Sequence, residues 1–269
     1  MRDIKLFVFD LDGTALGEHV PYHRFPESFV RFLDELADMG IGWATNTTWG
    51  LQEQLSLILN SGVKSEPAFL CGGTGRLMGR IEQGRLVPDE AYNSAVACKD
   101  REFRDEHWHT IRGICQNLLE HDAVEEIAYA EHCILSLKIR QSCADRVESL
   151  LSPLLSDGAY YKFDPRNPTG ISLLPHYMNK GDILAVMRER LGISAKQIVV
   201  AGDGANDLQM FRPELAGHMI CPSNACDLLK ERALSCGGVV ADKPCAEGVM
   251  AAMRELLGSS CEVVTGGLS

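Results

Sequence analysis

The hydrophobic pattern of this chain changes period several times, and each change marks an element. Ile4 to Phe9 is a continuous apolar run closed by Asp10, the pattern of a central strand buried on both faces of a parallel sheet. Between Glu27 and Met39, Phe29, Leu33, Leu36 and Ala37 recur at helical spacing before Gly40, which predicts an amphipathic helix with a glycine stop. Ile41 to Thr45 reads as a second strand, Leu51 to Leu59 as a second helix carried by Leu51, Leu55, Ile58 and Leu59, and Pro67 to Cys71 as a third strand.

The same rhythm resumes downstream. A helix is expected from Asp182 to Leu191, strands at Gln197 to Ala201 and His218 to Cys221, and a helix at Cys226 to Ala233. A short strand at Gly238 to Val240 and a helix from Ala246 to Leu257 complete the series. Strands alternating with helices imply parallel neighbours joined by crossovers, so the fold class is α/β, a doubly wound, Rossmann-like, mostly parallel sheet.

Between these halves the period shifts. A helix is expected near Arg104 to Leu119, with Trp108, Ile111, Cys115 and Leu118 as its core stripe, and paired strands at Val124 to Ala130 and Cys133 to Ile139. In the latter, Cys133, Leu135, Leu137 and Ile139 alternate with Ser136 and Lys138, the mark of an antiparallel sheet with one buried face. A helix at Asp145 to Leu155 and strands at Ala159 to Phe163 and Gly170 to Leu174 repeat the unit. Residues 85–173 therefore read as an inserted α+β domain of two helix-plus-two-strand units, dividing a core of residues 1–84 and 174–269.

Composition narrows the function classes. The 269 residues are 45% hydrophobic and 23% charged, a globular balance, and 26 Lys plus Arg against 37 Asp plus Glu leave a net charge of −11. Such acidity repels polyphosphate backbones, so no nucleic-acid partner is expected. No apolar stretch approaches the roughly 20 residues that span a bilayer. The run ending at Asp10 lacks a small-residue cleavage site, so no membrane partner and a cytoplasmic location are expected. The ten cysteines are scattered without metal-ligand spacing and read as reduced core residues, and His107 and His109, two apart, would face different sides of a helix.

The candidate chemistry sits at strand ends. Asp10-Leu11-Asp12-Gly13-Thr14 leaves the first strand at its carboxyl end, where ligands bind in open α/β sheets. Gly13 frees the backbone to turn close to an anion; one carboxylate can attack phosphorus while the other handles protons. Gly202-Asp203-Gly204-Ala205-Asn206-Asp207 follows the strand ending at Ala201 and adds two carboxylates and an amide, an oxygen-rich set suited to Mg2+. Carboxylates gathered this closely repel one another unless a cation lies between them. Thr45 offers a hydroxyl at the second strand's end, and Lys180 offers a cation ahead of a helix.

These motifs, in this order, resemble the haloacid dehalogenase superfamily, and the insert resembles that of its type-IIB cap subfamily, the Cof-like and sucrose-phosphatase-like hydrolases. Pro222-Ser223-Asn224-Ala225, Leu228-Leu229-Lys230 and Glu247-Gly248-Val249 extend the resemblance over nearly the whole chain. It implies that Asp10 is the nucleophile and Asp12 the general acid and then base, with Mg2+ held by Asp10, the Asp12 main-chain carbonyl and Asp203. It also implies phosphoryl contacts from Gly13, Thr45, Asn46, Lys180 and Asn206, with Asp207 supporting Lys180 or a metal-bound water. After Thr45 many relatives carry Gly-Arg; this chain has Asn46-Thr47.

The function implied is Mg2+-dependent hydrolysis of a small phosphorylated metabolite, a sugar phosphate or sugar-acid phosphate, through an aspartyl-phosphate, with the insert as a lid. The alternatives are a sugar phosphomutase, which would isomerise its substrate without net phosphate release, and a phospho-accepting signalling module, which is shorter and needs no insert. Lys162, Arg166 and Asn167 in the insert, and His19, Tyr22 and His23 after the first motif, are further polar candidates near a substrate. Composition and motifs leave the oligomeric state open.

Overall fold

A computed structural model of the chain describes residues 3–17, 24–130, 133–146, 149, 151–152, 159–164 and 167–258. In chain order the elements are β1 (Leu6–Phe9), α1 (Glu27–Asp38), β2 (Gly42–Asn46), α2 (Leu51–Ser61), β3 (Phe69–Gly72), β4 (Leu77–Glu82), β5 (Arg85–Pro88), α3 (Glu90–Glu106), α4 (Trp108–Glu120), β6 (Val124–Ala130) and β7 (Cys133–Ile139). There follow β8 (Ala159–Asp164), β9 (Asn167–Pro175), α5 (Lys180–Leu191), β10 (Ile198–Ala201), β11 (His218–Cys221), α6 (Asp227–Ser235), β12 (Val239–Val240) and α7 (Cys245–Leu257). They divide into two compact units, one running to Asp89 and resuming at Asn179, the other Glu90–Met178.

The first unit is built on an eight-stranded sheet in the order β12-β11-β10-β1-β2-β3-β4-β5. Strands from β12 to β3 pair in parallel, and β4 and β5 close the edge antiparallel. From β1 the chain winds outward through β2 and β3, then returns to the other side of β1 at β10. The winding reverses between β1 and β10, and at such a reversal the loops leaving the carboxyl ends part to form a crevice.

The continuous apolar run of β1 is explained by burial on both faces. Phe7 and Phe9 face α1, α2 and α7, in one cluster with Phe29, Phe32, Leu33, Trp43, Leu55, Ile58 and Met253. The Phe9 ring lies 5.0 Å from Phe7 and 6.0 Å from Trp43 in stacked geometry and meets Phe29 edge-on at 5.3 Å. Burying one such ring stabilises by about 2 to 3 kcal/mol, so this cluster anchors the strand whose end carries Asp10. Across the sheet, Cys71 of β3 meets Met187 of α5.

The second unit holds a four-stranded antiparallel sheet, β6-β7-β9-β8. Ile111, Ile114 and Leu118 of α4 share its apolar cluster with Leu135, Leu137, Ile171 and Leu173. Lys138 of β7 is exposed while Leu137 and Ile139 are buried, as the alternation requires.

Several boundaries differ from the sequence pattern. The hairpin β4–β5 turns through Gln83 and Gly84, both at positive φ, and β5 pairs within the main sheet, so the first unit continues to Asp89 beyond the expected break at 84. The single helix near Arg104 to Leu119 is two: α3 ends at Glu106, α4 begins at Trp108, and Trp108, expected in the core, is 46% exposed. Leu59, expected on the buried stripe of α2, is exposed, and Leu57 takes its place. Of the nine described cysteines, Cys71, Cys133, Cys143 and Cys221 are buried and the others are partly or fully exposed; no disulfide forms among them. Among the described residues, no helix is long and apolar enough to cross a membrane. The expected helix over 145–155 lies largely outside the described residues, as do His19, Tyr22, His23 and Arg166; Lys162 and Asn167 fall in β8 and β9.

Candidate active site at the β1–β10 crevice

Asp10 is the first residue beyond β1; its N–H donates to Ala201 O of β10 at 3.1 Å, which ties the two strand ends together. The next residues close a tight loop in which the Ala15 and Leu16 N–H groups donate to Leu11 O, at 3.0 and 2.8 Å, and the Gly13 N–H to Leu16 O at 2.9 Å. Gly13 has φ +75, and a Cβ there would lie 2.2 Å from Asp203 Oδ2. Only glycine satisfies both the turn and this approach of backbone to carboxylate.

Lys180 begins α5, whose first turn is capped by Asn179: its Oδ1 accepts from the N–H groups of Gly181 at 2.8 Å and Asp182 at 3.1 Å. A Cβ on Gly181 would come 2.1 Å from Gln209 O, so glycine lets α5 pack against the loop after Asp207. The cap and this close contact place the Lys180 ammonium 2.8 Å from Asp10 Oδ1 and 2.6 Å from Asp207 Oδ1, with the lysine fully buried. Burial alone would lower the Lys180 pKa, but the charges of Asp10 and Asp207 outweigh it and hold it well above the usual lysine range.

The loop after β10 is folded by Asp207. Its Oδ2 accepts from the N–H groups of Asp203 at 3.0 Å and Gly204 at 2.9 Å, and its Oδ1 receives Lys180. Burial and the Asp10 charge push the Asp207 carboxyl up, while Lys180 and the Gly204 N–H pull it back. Asp203 accepts from Thr14 Oγ1 at 2.9 Å. Its pKa is pushed up to about 7, first by burial and then by the charges of Asp10 and Asp207.

Asp10, Asp203 and Asp207 each offer a carboxylate oxygen, and the three atoms lie within 4.8 Å of one another. Among the described residues they are the one group able to gather a metal ion. Three hard oxygen donors with mutually repelling charges, one of them held toward neutrality, fit a divalent cation such as Mg2+. Of the three, Asp207 is also engaged by Lys180 and two backbone donors.

The remaining expected residues divide. Asn46, at the end of β2, donates from Nδ2 to Lys180 O at 2.8 Å and contacts Met210 Sδ at 3.2 Å, while its buried Oδ1 has no hydrogen-bond partner among the described residues. Thr45 pairs with Phe9, and alternation turns its side chain to the opposite sheet face from Asp10. There its hydroxyl donates to Gln54 Oε1 at 2.5 Å. Asn206 lies half-buried in the 3₁₀ turn Ala205–Asp207 and makes no side-chain hydrogen bond among the described residues.

Trp49 and Gln54 escaped the sequence reading, and Asn224 entered it without a role. Trp49 Nε1 donates to Asp12 Oδ2 at 2.7 Å. Gln54 is fully buried on the stripe that also carries Leu51, Leu55 and Ile58, and a polar residue at a core position was the available signal. Asn224 donates to Gly13 O and accepts from the Cys245 N–H, both at 2.8 Å, joining three loops at the crevice.

Comparisons with known proteins identify the family. Residues 4–256 match the family of sucrose-6F-phosphate phosphohydrolase. The chain is 29% identical over 261 residues to phosphoglycolate phosphatase of Methanopyrus kandleri, covering 94% of this chain and 97% of the relative. It is 22% identical over 211 residues to mannosylfructose-phosphate phosphatase of Agrobacterium fabrum, covering 78% and 80%. The X-ray structure of the sucrose-phosphatase from Synechocystis sp. PCC6803 in complex with sucrose and phosphate shares the fold, with a TM-score of 0.66 at 19% identity over 95% of this chain and 98% of that one. The chain therefore belongs to the sucrose-6F-phosphate phosphohydrolase family, within the Cof-like branch of the haloacid dehalogenase superfamily, and is a phosphoric monoester hydrolase.

Proposed function

We propose that this enzyme hydrolyses a small sugar phosphate or sugar-acid phosphate, with Mg2+ as cofactor, through a phosphorylated Asp10. The observation that carries the reading is the convergence of Asp10, Asp203, Asp207 and Lys180 where the sheet reverses its winding. Phosphoryl transfer depends mainly on positioning and on offsetting charge at the phosphoryl oxygens, and this set supplies both. The names of the relatives, which include the phosphate of a small hydroxy acid and that of a disaccharide, support the substrate class.

An Asp10 carboxylate oxygen attacks phosphorus, the ester P–O bond breaks, and Asp12 gives its proton to the departing oxygen. Asp12 then takes a proton from a water that attacks the aspartyl-phosphate, releasing inorganic phosphate and restoring both aspartates. Lys180 offsets negative charge on the phosphoryl group, held in place by Asp207. Asp10, the Asp12 carbonyl and Asp203 would hold Mg2+, which, when bound, supplies positive charge that draws the phosphoryl oxygens toward the nucleophile.

The test is release of inorganic phosphate from a panel of phosphorylated sugars and sugar acids, with Mg2+ and with EDTA, for the wild type and Asp10→Asn. The expected result is metal-dependent release that Asp10→Asn abolishes. Full activity in EDTA, wild-type rates for the variant, or an isomerised sugar phosphate without net phosphate release would each overturn the proposal.

A further inference from the structure

We infer that Trp49 is a positioning residue for Asp12, holding that carboxyl where it can protonate a poor leaving group; the inference rests on the proposed hydrolase chemistry. The contact is a short one, Trp49 Nε1 to Asp12 Oδ2 at 2.7 Å, between a buried indole and a half-buried carboxyl. A donor fixed on one carboxyl oxygen limits rotation of the carboxyl group.

The backbone that carries the indole is itself held in place. The Trp49 main-chain carbonyl accepts from the Gly73 N–H at 3.1 Å and from Gln54 Nε2 at 3.2 Å. Gln54 is oriented in turn by Thr45 Oγ1 on its Oε1 at 2.5 Å and by Cys71 O on its Nε2 at 3.3 Å. The turn before Trp49 is fixed by the Thr47 N–H on Cys71 O and the Thr74 N–H on Thr47 O, both at 3.0 Å. The turn after it is closed by the Gly50 N–H on Glu53 Oε2 at 2.9 Å. A chain of contacts thus runs from Thr45 through Gln54 and Trp49 to Asp12. It gives a function to a polar residue in the apolar stripe of α2 and to a threonine turned away from Asp10. A constellation held this way keeps its geometry without reorganising during the reaction.

A positioning role predicts a dependence on leaving group. An alkoxide departs poorly without a proton, whereas p-nitrophenolate departs well without one. The experiment compares kcat/KM, which reads the steps up to leaving-group departure, for an alkyl phosphate such as phosphoglycolate and for p-nitrophenyl phosphate. For Trp49→Phe, which removes the N–H and keeps a ring, kcat/KM on the alkyl ester should fall about 10- to 100-fold. On the aryl ester it should change less than about 3-fold, which also reports an intact fold. Trp49→His, which retains a ring N–H, should recover part of the alkyl activity. Equal losses on both esters, with or without loss of the circular-dichroism spectrum, or no loss on the alkyl ester, would overturn the inference. Asp12→Asn separates the two readings. If it shows the alkyl-selective loss while Trp49→Phe does not, the positioning role alone fails; if it retains wild-type kcat/KM on the alkyl ester, the proposed chemistry fails.

Discussion

Lys180 Nζ lies 2.6 Å from Asp207 Oδ1, and both side chains are wholly buried. The pair is anchored by the cap of α5 on one side and by the loop after β10 on the other, so it joins two segments that both border Asp10.

Removing one partner leaves an unpaired buried charge. Lys180→Met should destabilise the protein by about 3 to 5 kcal/mol, read from the urea midpoint in EDTA, and should abolish phosphate release. A midpoint unchanged within error would show that this ion pair does not support the fold.

Asp203 gives the protein a pH dependence of definite sign. Its carboxyl is pushed up to about 7 from an ordinary value of 3.8, so the folded state binds the proton more tightly than the unfolded state. The stabilisation from this group is complete below the unfolded value and is lost as pH rises through about 7. Metal-free protein should therefore lose thermal stability between pH 4 and pH 7 through this residue, and Asp203→Asn should flatten that decline. A cation must compete with the same proton, so apparent Mg2+ affinity should weaken by up to about tenfold per pH unit below 7. Calorimetric titration across pH checks this; an affinity flat from pH 6 to pH 8 would show that no proton held near pH 7 competes for the cation.

At Gly13 the limit is steric. Gly13→Ala would set a Cβ 2.2 Å from Asp203 Oδ2 at a φ of +75. The backbone penalty alone should be about 1 kcal/mol or more, and displacing Asp203 should weaken the response to Mg2+. Denaturant midpoints and the metal dependence of phosphate release read the two effects separately. Wild-type values for both would mean that the loop opens without consequence.

Thr45 separates a supporting role from direct contact with a phosphoryl group. Thr45→Val leaves Gln54 Oε1 buried without its donor and should cost about 1 to 3 kcal/mol, while turnover of p-nitrophenyl phosphate stays within about tenfold of wild type. A loss on that ester as complete as in Asp10→Asn, with stability unchanged, would return Thr45 to the phosphoryl site.

The chain's own periodicity determined the parallel core, because a strand buried on both faces must be apolar at every position, as Leu6 to Phe9 are. Local sequence also located Asp10, Asp203 and Lys180, since carboxylates at or just beyond the end of an apolar run and a lysine at the start of a capped helix are local features. Tertiary structure decided which atoms meet. Strand alternation turns Thr45 toward Gln54 and leaves Asn46 beside Lys180, and the strand register that settles this comes from the pairing of β1 with β2. Trp49 and Asp12 are 37 residues apart, and no spacing rule in one dimension encodes a contact between the loops that leave the carboxyl ends of β1 and β2. Gly13 shows both sides: its turn is written in Asp12-Gly13-Thr14, but its need to be glycine comes from Asp203, 190 residues away by number, whose carboxylate fills the space a Cβ would take.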